Sequence, residues 1–227
     1  MSASWDRGDA GAAGAAYREI KRRIVNLEYR PTEKLSEARL AAELPFGRSP
    51  IRTALAQLRT ERWVDVSPQS GTFVRALNDH DIQNVTELRV MLEVHCARTA
   101  ARGLGETEMK ALRDAFRLFG PVAASGDVEA FIELDTRLHL ALYRVAGNEL
   151  IAGILLDLRD KVQWIRRACA VSSERVQEGF AELEQIFAAL QERDAEAAGA
   201  RMALHIGNAA AFCRAVDQGA AAPGVVG

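Results

Sequence analysis

Apolar residues recur at helical spacing along most of this chain, with one short stretch of strand-like alternation. The first helical stretch covers about residues 15–30 and ends before Pro31. A second begins after Ser36, whose hydroxyl can cap free backbone N–H groups. A third is expected to begin at Ser49 and Pro50, because serine caps a helix and proline fits its first position. The pattern therefore predicts three short helices, the last two of which are joined by a tight turn.

The strand-like alternation follows directly after the third helix. Residues 63–66 and 72–74 are predicted to form two short strands around a turn that includes Gly71. Three helices followed by a hairpin are the outline of a winged helix-turn-helix. In this fold the third helix is the recognition helix, and its first turn enters the major groove of DNA. Arg52 lies in that turn, where an arginine can bond guanine O6 and N7 with two hydrogen bonds.

The remainder of the chain shows helical periodicity only. Six helices of this length with short links make a compact antiparallel bundle. The segments cover roughly residues 79–102, 106–119, 127–146, 149–170, 173–192 and 194–216. We therefore predict a mainly α-helical protein with a flexible tail (1–14), an N-terminal winged helix-turn-helix (15–75), a linker (76–78), a C-terminal all-α helical bundle (79–216) and a second tail (217–227).

The two predicted domains differ in charge. The first 75 residues hold 13 basic and 9 acidic side chains, which leaves 16 basic and 22 acidic side chains for the rest. A basic head on an acidic body is expected of a phosphate-binding module joined to one that does not bind nucleic acid. Three adjacent basic residues of the first helix, at 21–23, could contact the phosphate backbone or form a solvated face.

Composition excludes several other classes. The chain is 48% hydrophobic and 26% charged, which is typical of a folded protein. Cys96, Cys169 and Cys213 are far apart and lack CxxC spacing, so each is interpreted as a small core residue rather than part of a disulfide framework or zinc site. The N-terminus has no basic flank before an apolar core, and no apolar run could cross a bilayer, so a cytoplasmic protein is expected.

Polar side chains interrupt the apolar stripes of the predicted bundle. Asp135 and His139 are four residues apart on one face, while His205 and Arg89 point inward from two other helices. Buried charges are costly unless they are paired, hydrated or bound to an ion. One explanation is a metal site at Asp135, His139 and His205, with Arg89 binding a ligand carboxylate. The alternative is a hydrogen-bonded Asp135–His139 pair, with His205 satisfied in the core and Arg89 paired with Glu93.

The predicted head resembles the DNA-binding domain of GntR-family transcriptional regulators. The resemblance covers residues 15–75, and its most specific part is the run RSPIR at 48–52. It implies operator contacts from the motif helices and close approach of the wing to the DNA backbone. The DNA-contacting residues predicted in this way are Arg48, Ser49, Arg52, Thr53, Arg39 and Gly71.

The body resembles the effector domain of the FadR-like branch of that family, known as the FCD type. The motif Asp135-x-x-Leu138-His139 and the later His205 support this resemblance. It implies an all-helical ligand-binding domain, in which many members hold a divalent metal such as Zn or Ni with one Asp and three His. Leu183 stands where the fourth ligand is expected, so the site is either a three-ligand variant or lost.

The resemblance implies a DNA-binding repressor that binds a pseudo-palindromic operator as a homodimer and responds to a small carboxylate effector. Two heads are also expected on physical grounds, because one recognition helix reads too few base pairs to be selective. A second hypothesis is a metal-dependent enzyme that uses the Asp135, His139 and His205 site. We expect a regulator rather than an enzyme, since no general base is reliably placed there. A third hypothesis is an architectural protein that binds DNA of any sequence.

Overall fold

The structure is a computed structural model that describes residues 11–217, with the backbone alone at residue 217. Of the predicted flexible tails, residues 1–10 and 218–227 lie outside the described residues, whereas residues 12–14 belong to the first helix and were wrongly assigned to a tail. The chain divides into two compact units, Met1–Leu77 and Asn78–Gly227, which are treated separately below.

The first unit contains the three predicted helices and the predicted hairpin. Its elements are α1 (Ala12–Val25), α2 (Glu37–Glu43), α3 (Arg48–Thr60), β1 (Val64–Ser67) and β2 (Gly71–Val74). The strands pair antiparallel, with Val64 opposite Val74. α2 starts as predicted, because the Ser36 hydroxyl accepts a hydrogen bond from the Arg39 backbone N–H at 3.2 Å.

Two helix starts in this unit differ from the prediction. α1 begins at Ala12, somewhat earlier than its apolar pattern indicates. α3 begins at Arg48 with Gly47 as its N-cap, and no side chain caps it, so the predicted cap at Ser49 is wrong. Pro50 fits inside the first turn because the first four N–H groups of a helix have no intrahelical acceptor.

The second unit contains the six predicted helices, and the predicted mainly α-helical class is confirmed. They are α4 (Asp79–Gly103), α5 (Glu106–Ala124), α6 (Val128–Ala146), α7 (Glu149–Ala168), α8 (Ser173–Gln191) and α9 (Ala195–Asp217). α5 continues past the break predicted at Gly120 and Pro121. Gly120 is buried, and a Cβ there would lie 3.3 Å from the Phe180 ring, so packing against α8 favours the helix despite the proline.

α4 and α9 form the most extensive helix pair of the bundle. Their facing surfaces carry small residues, including Ala97, Ala100, Ala101 and Ala198, all fully buried. α6 also packs against α4, and its buried face points into the same interior. Within residues 11–217, no helix is long and apolar enough to cross a bilayer.

Replacing Gly179 of α8 with alanine is expected to lower the free energy of unfolding by about 1–3 kcal/mol. The added Cβ would lie 2.7 Å from the Phe131 ring of α6, which would have to move. Gly153→Ala on α7 is the matched control, because nothing lies within 4 Å of its Cβ position. That change should be neutral or stabilising by up to about 1 kcal/mol. Urea unfolding followed by circular dichroism measures both, and equal losses would contradict the close packing of α6 on α8.

Candidate functional sites in the bundle and on the helix-turn-helix

α6 carries Asp135 and His139 on its buried face, together with Leu134, Leu138 and Leu142, as the periodicity predicts. α9 brings His205 to the same place. The three polar residues are at most 5% exposed. One ligand atom from each of them lies within 4.8 Å of the other two, so the structure brings the predicted set together.

Asp135 stands at the centre of this cluster. Its Oδ1 atom lies 3.1 Å from His205 Nε2 and 3.5 Å from His139 Nε2. Its Oδ2 atom accepts a hydrogen bond of 2.6 Å from Arg166 Nη1 of α7. Arg166 therefore holds the carboxylate with one oxygen directed at both imidazoles.

Each imidazole also meets a carboxylate on its other side. His205 Nδ1 lies 2.8 Å from Glu182 Oε2 of α8. His139 Nδ1 lies 2.5 Å from Glu93 Oε2 of α4. Both rings consequently turn their Nε2 atoms toward Asp135. A carboxylate on the outer nitrogen is the arrangement that commonly orients metal-binding histidines.

The outer carboxylates are themselves paired. Arg89 Nε lies 2.6 Å from Glu93 Oε1, and its Nη2 lies 3.4 Å from Oε2. Arg175 Nη2 and Asn208 Nδ2 donate to Glu182, at 3.0 and 2.8 Å. Arg89, predicted to bind an effector carboxylate, thus already bonds Glu93 through two nitrogens. Such pairing is needed, since an unpaired charge at these depths would be strongly destabilising.

Neighbouring charges favour the ionised forms of Glu93, Asp135 and His139 despite their burial. Burial favours neutral Glu93, but Arg89 and His139 lower the pKa of Glu93 to about 2. Burial likewise opposes ionisation of Asp135, yet Arg166 and His139 hold the pKa of Asp135 well below its ordinary value. Burial opposes protonation of His139, but the charges of Glu93 and Asp135 raise its pKa to about 9. Without a bound ion, the two carboxylates therefore favour the protonated form of His139, and a metal ion would bind this ring by displacing its proton.

A cavity of about 310 Å³ opens on this cluster. Its polar wall includes Asp135, His139, Arg89 and Arg166, and its apolar wall includes Ile132, Leu155, Leu158 and Val162. This size is at the small end of ligand sites, and apolar walls with a few convergent polar groups are typical of them. The cavity thus suits a small molecule with at least one charged group.

The residues of the cluster fit a divalent metal ion. One carboxylate and two imidazoles are a donor set that Zn²⁺ and Ni²⁺ accept, and the cavity leaves space for a further ligand. Within residues 11–217, neither ring nitrogen of the buried His139 has a hydrogen bond of good geometry. Leu183 is fully buried, as predicted, and offers no ligand atom. Its neighbour Glu182 bonds the outer nitrogen of His205 instead of joining the three facing atoms.

Sequence reasoning missed several of these residues. The sequence predicts Glu93 only as a partner of Arg89 and Glu182 only as a substitute ligand if its helix were rotated, and it predicts no role for Arg166 or Arg175. The sequence does contain a sign of the inward position of Arg166, because this residue lies one helical turn after the apolar Val162. Glu182 left none, since it adjoins a buried leucine and reaches His205 only through the packing of α8 on α9.

The predicted DNA contacts of α3 lie on the surface of the first unit. Arg48, Ser49, Arg52 and Thr53 are exposed in its first two turns. Arg52 Nε and Nη2 donate to the two carboxylate oxygens of Glu37 in α2, each at 2.8 Å. Within residues 11–217, no acidic side chain forms an ion pair with Arg48. The structure therefore presents one paired and one unpaired arginine at the start of α3.

The other two predicted DNA contacts lie on α2 and the wing. Arg39 is exposed and forms ion pairs with Glu33 and Glu43, at 2.7 and 2.6 Å. Gly71 has a φ of +113°, and a Cβ there would lie 3.0 Å from Lys34 Cε. This backbone conformation favours glycine, so the residue shapes the wing directly.

The three basic residues of α1 form contacts within the first unit. Arg22 and Arg23 both bond Glu19, at 2.9 and 2.7 Å. Lys21 Nζ lies 5.2 Å from the centre of the Trp63 ring. This geometry favours the solvated-face alternative over a dedicated phosphate contact.

Two protein families match the chain. Residues 12–74 match the family described as bacterial regulatory proteins, gntR family, and residues 84–208 match the FCD domain. The fold and both matches therefore define a transcriptional regulator. This chain belongs to the GntR family and carries an FCD domain.

Individual relatives agree with this assignment. The chain is 31% identical over 144 residues to the Nta operon transcriptional regulator of Aminobacter aminovorans, covering 63% of this chain and 67% of that protein. It is 26% identical over 205 residues to the HTH-type transcriptional repressor RspR of Escherichia coli, covering 89% of each. These relatives are regulators, so the enzyme hypothesis is not supported.

Solved structures share the fold. E. coli McbR/YncC superposes with a TM-score of 0.71 at 18% identity, over 90% of this chain and 97% of that one. The Zn²⁺-bound FCD domain of TM0439 superposes with a TM-score of 0.52 at 26% identity, over 61% of this chain and 95% of that one.

Arg166→Met is expected to lower the free energy of unfolding by about 2–4 kcal/mol, because Asp135 would lose its main cationic partner in a buried site. Arg159→Met is the matched control, since Arg159 is exposed on the same helix and lines the same cavity. That change should alter stability by less than about 0.5 kcal/mol. Thermal and urea unfolding of both variants give the comparison. Equal stability of the two would mean that the Arg166–Asp135 contact does not hold the cluster.

Proposed function

We propose that this regulator is a repressor that binds a pseudo-palindromic operator as a homodimer, in the cytoplasm, and that a small organic acid controls it from the bundle. The observation that carries the proposal is the buried Asp135, His139 and His205 cluster, of which Asp135 and His139 line a cavity of about 310 Å³. RspR, a relative across most of the chain, is itself described as a repressor.

DNA recognition is proposed for residues 15–75. Arg48 and Arg52 would read base edges from the start of α3, and Ser49 and Thr53 would contact the backbone beside them. Glu37 holds two Arg52 nitrogens, so the arginine reaches the DNA either with its remaining donors or after leaving Glu37. Arg39 and Gly71 would position α2 and the wing on neighbouring phosphates. Residues 76–78 link this domain to the body.

A divalent metal ion is proposed at Asp135, His139 and His205, in the domain of residues 79–216. The Zn²⁺-bound FCD domain of TM0439 supports a metal at this type of domain. A bound ion would act as a Lewis acid and attract the carboxylate of the effector. The protein's own part is orientation, because Arg166, Glu93 and Glu182 hold the three ligands from outside the cluster.

An organic acid is the proposed effector class because cations face the cavity. Arg89, Arg159 and Arg166 line it, together with the carboxylates of Glu93, Glu129, Glu133 and Asp135, and a guanidinium can bind a carboxylate ligand with two parallel hydrogen bonds. The effector can change operator binding only to the extent that it binds the two arrangements of the paired heads with different affinity. The same domain is proposed to hold the two chains together, since two recognition helices match a two-fold operator.

Arg52→Ala is expected to reduce discrimination between operator and random DNA by about 1–3 kcal/mol if Arg52 reads a base. Arg59→Ala is the control, because Arg59 is exposed at the opposite end of α3. Its loss should weaken binding to all sequences alike or not at all. A site selected from random duplexes provides the operator, and affinities are compared at one salt concentration. Undiminished discrimination in Arg52→Ala would refute the base contact, and equal affinity of the native protein for all sequences would favour an architectural role.

Purified native protein loaded with Zn²⁺ or Ni²⁺ is expected to hold about one ion per chain, as one such site requires. His205→Ala should lose the ion, because it removes one of three ligands. His95→Ala is the matched control, since His95 is exposed on α4 and lies outside the cluster. Elemental analysis after gel filtration gives the stoichiometry, and thermal unfolding with and without metal gives the coupled stability. Equal metal content in all three proteins, or none in any, would remove the site from the proposal.

A further inference from the structure

One ion pair of the first unit involves an arginine that is proposed to read a base. Arg52 of α3 donates from Nε and Nη2 to the two carboxylate oxygens of Glu37, and both distances are 2.8 Å. Glu37 is the first residue of α2. Its side chain is 34% exposed and that of Arg52 is 71% exposed, so the pair lies at the surface, where DNA can approach Arg52.

The two hydrogen bonds determine which donors of Arg52 remain available. A guanidinium carries five N–H groups in a rigid planar fork. Glu37 takes the edge formed by Nε and Nη2. The end of the fork, formed by Nη1 and the second N–H of Nη2, keeps two parallel donors, and guanine O6 and N7 accept such a pair. Arg52 can therefore bind a guanine while it remains bonded to Glu37.

The fold fixes the backbone positions of both partners. The Ser36 hydroxyl caps α2, which places Glu37 in the first turn, where the helix dipole favours a negative charge. α2 packs against α3, and Leu40 of α2 and Ile51 of α3 are fully buried. The core therefore holds the two backbone segments, and the pair only has to orient the Arg52 side chain.

Arg48 provides a contrast on the same helix. In the described part of the chain it forms no ion pair, whereas Arg52 is already bonded to Glu37. A free arginine loses much rotamer freedom when it binds. It can also bond a phosphate instead of a base, and a phosphate carries no sequence information. Pairing before DNA arrives lowers the first cost for Arg52 and disfavours the second outcome.

We propose that Glu37 is a specificity-determining residue of the DNA site, which holds Arg52 in the orientation that reads a guanine and stays bonded to it in the complex. Glu37 acts through Arg52 and is therefore a positioning residue. Its negative charge repels phosphates and weakens binding to every sequence, while its orientation of Arg52 favours the operator. Both effects raise the ratio of operator affinity to random-DNA affinity. This inference rests on the proposed base contact of Arg52.

The test compares the affinities of the full chain for its selected operator and for random duplexes at one salt concentration. Glu37→Gln should lower the ratio of the two affinities about three- to tenfold, because the amide offers one acceptor oxygen where the carboxylate offers two. Its affinity for random DNA should rise, since a negative charge is lost. Glu28→Gln is the matched control, because Glu28 is exposed and pairs with Arg22 of α1. It makes the same charge change and should leave the ratio unaltered.

Glu37→Asp separates geometry from charge. Aspartate keeps the charge and both oxygens but is shorter by one methylene group, so the ratio should fall while the affinity for random DNA stays the same. Urea unfolding establishes that each variant is folded. A higher ratio in Glu37→Gln would mean that Glu37 competes with DNA for Arg52, and this result would overturn the proposal. An unchanged ratio in both Glu37 variants would overturn it as well.

A double-variant cycle separates this inference from the proposed base contact. In the Arg52→Ala background, Glu37→Gln should cause no further loss of discrimination, because Glu37 acts through Arg52. A further loss as large as that in the native background would contradict the positioning role. Full discrimination in Arg52→Ala alone would refute the base contact and this inference together. Reduced discrimination in Arg52→Ala with full discrimination in Glu37→Gln would refute this inference alone.

Discussion

The bundle depends on the placement of one buried carboxylate. Asp135 is 3% exposed, and ionisation at that depth is tolerable only because Arg166 meets one of its oxygens and two imidazoles meet the other. These partners come from α7, α6 and α9, so the arrangement exists only when the helices are packed together. His139 and His205 in turn require carboxylates from α4 and α8. A chain of contacts between carboxylates, guanidinium groups and imidazoles therefore runs through five helices, and removing one member leaves another without its partner.

Ion pairs have a different role in the first unit. Its ion pairs are exposed, so each contributes little to stability and can be exchanged for a phosphate or a base at modest cost. Arg52 is paired with Glu37 but its side chain is 71% exposed, whereas Arg89 is paired with Glu93 at 9%. The first pair can therefore open at modest cost, whereas opening the second would leave a buried charge without a partner. Burial thus separates the arginines suited to binding a macromolecule from those that hold a site in shape.

The sequence by itself determined most of the architecture. Apolar spacing placed all nine helices found in residues 11–217, because a helix that buries one face must repeat its apolar residues with the helical period. The same period placed Asp135 and His139 on one buried face, since residues four apart stack on a helix. The inward position of Leu183 followed from the same pattern, and the family followed from the run at residues 48–52.

Only the tertiary structure decided which side chains from different helices meet. No periodicity relates Arg166 to Asp135 or Glu182 to His205, because these contacts depend on how each helix is rotated and shifted against its neighbours. The continuation of α5 through Pro121 was likewise decided by packing against α8, which outweighs a local preference. The apolar periodicity of the sequence determines which face of each helix is buried. The packing of those faces determines which side chains from different helices come into contact.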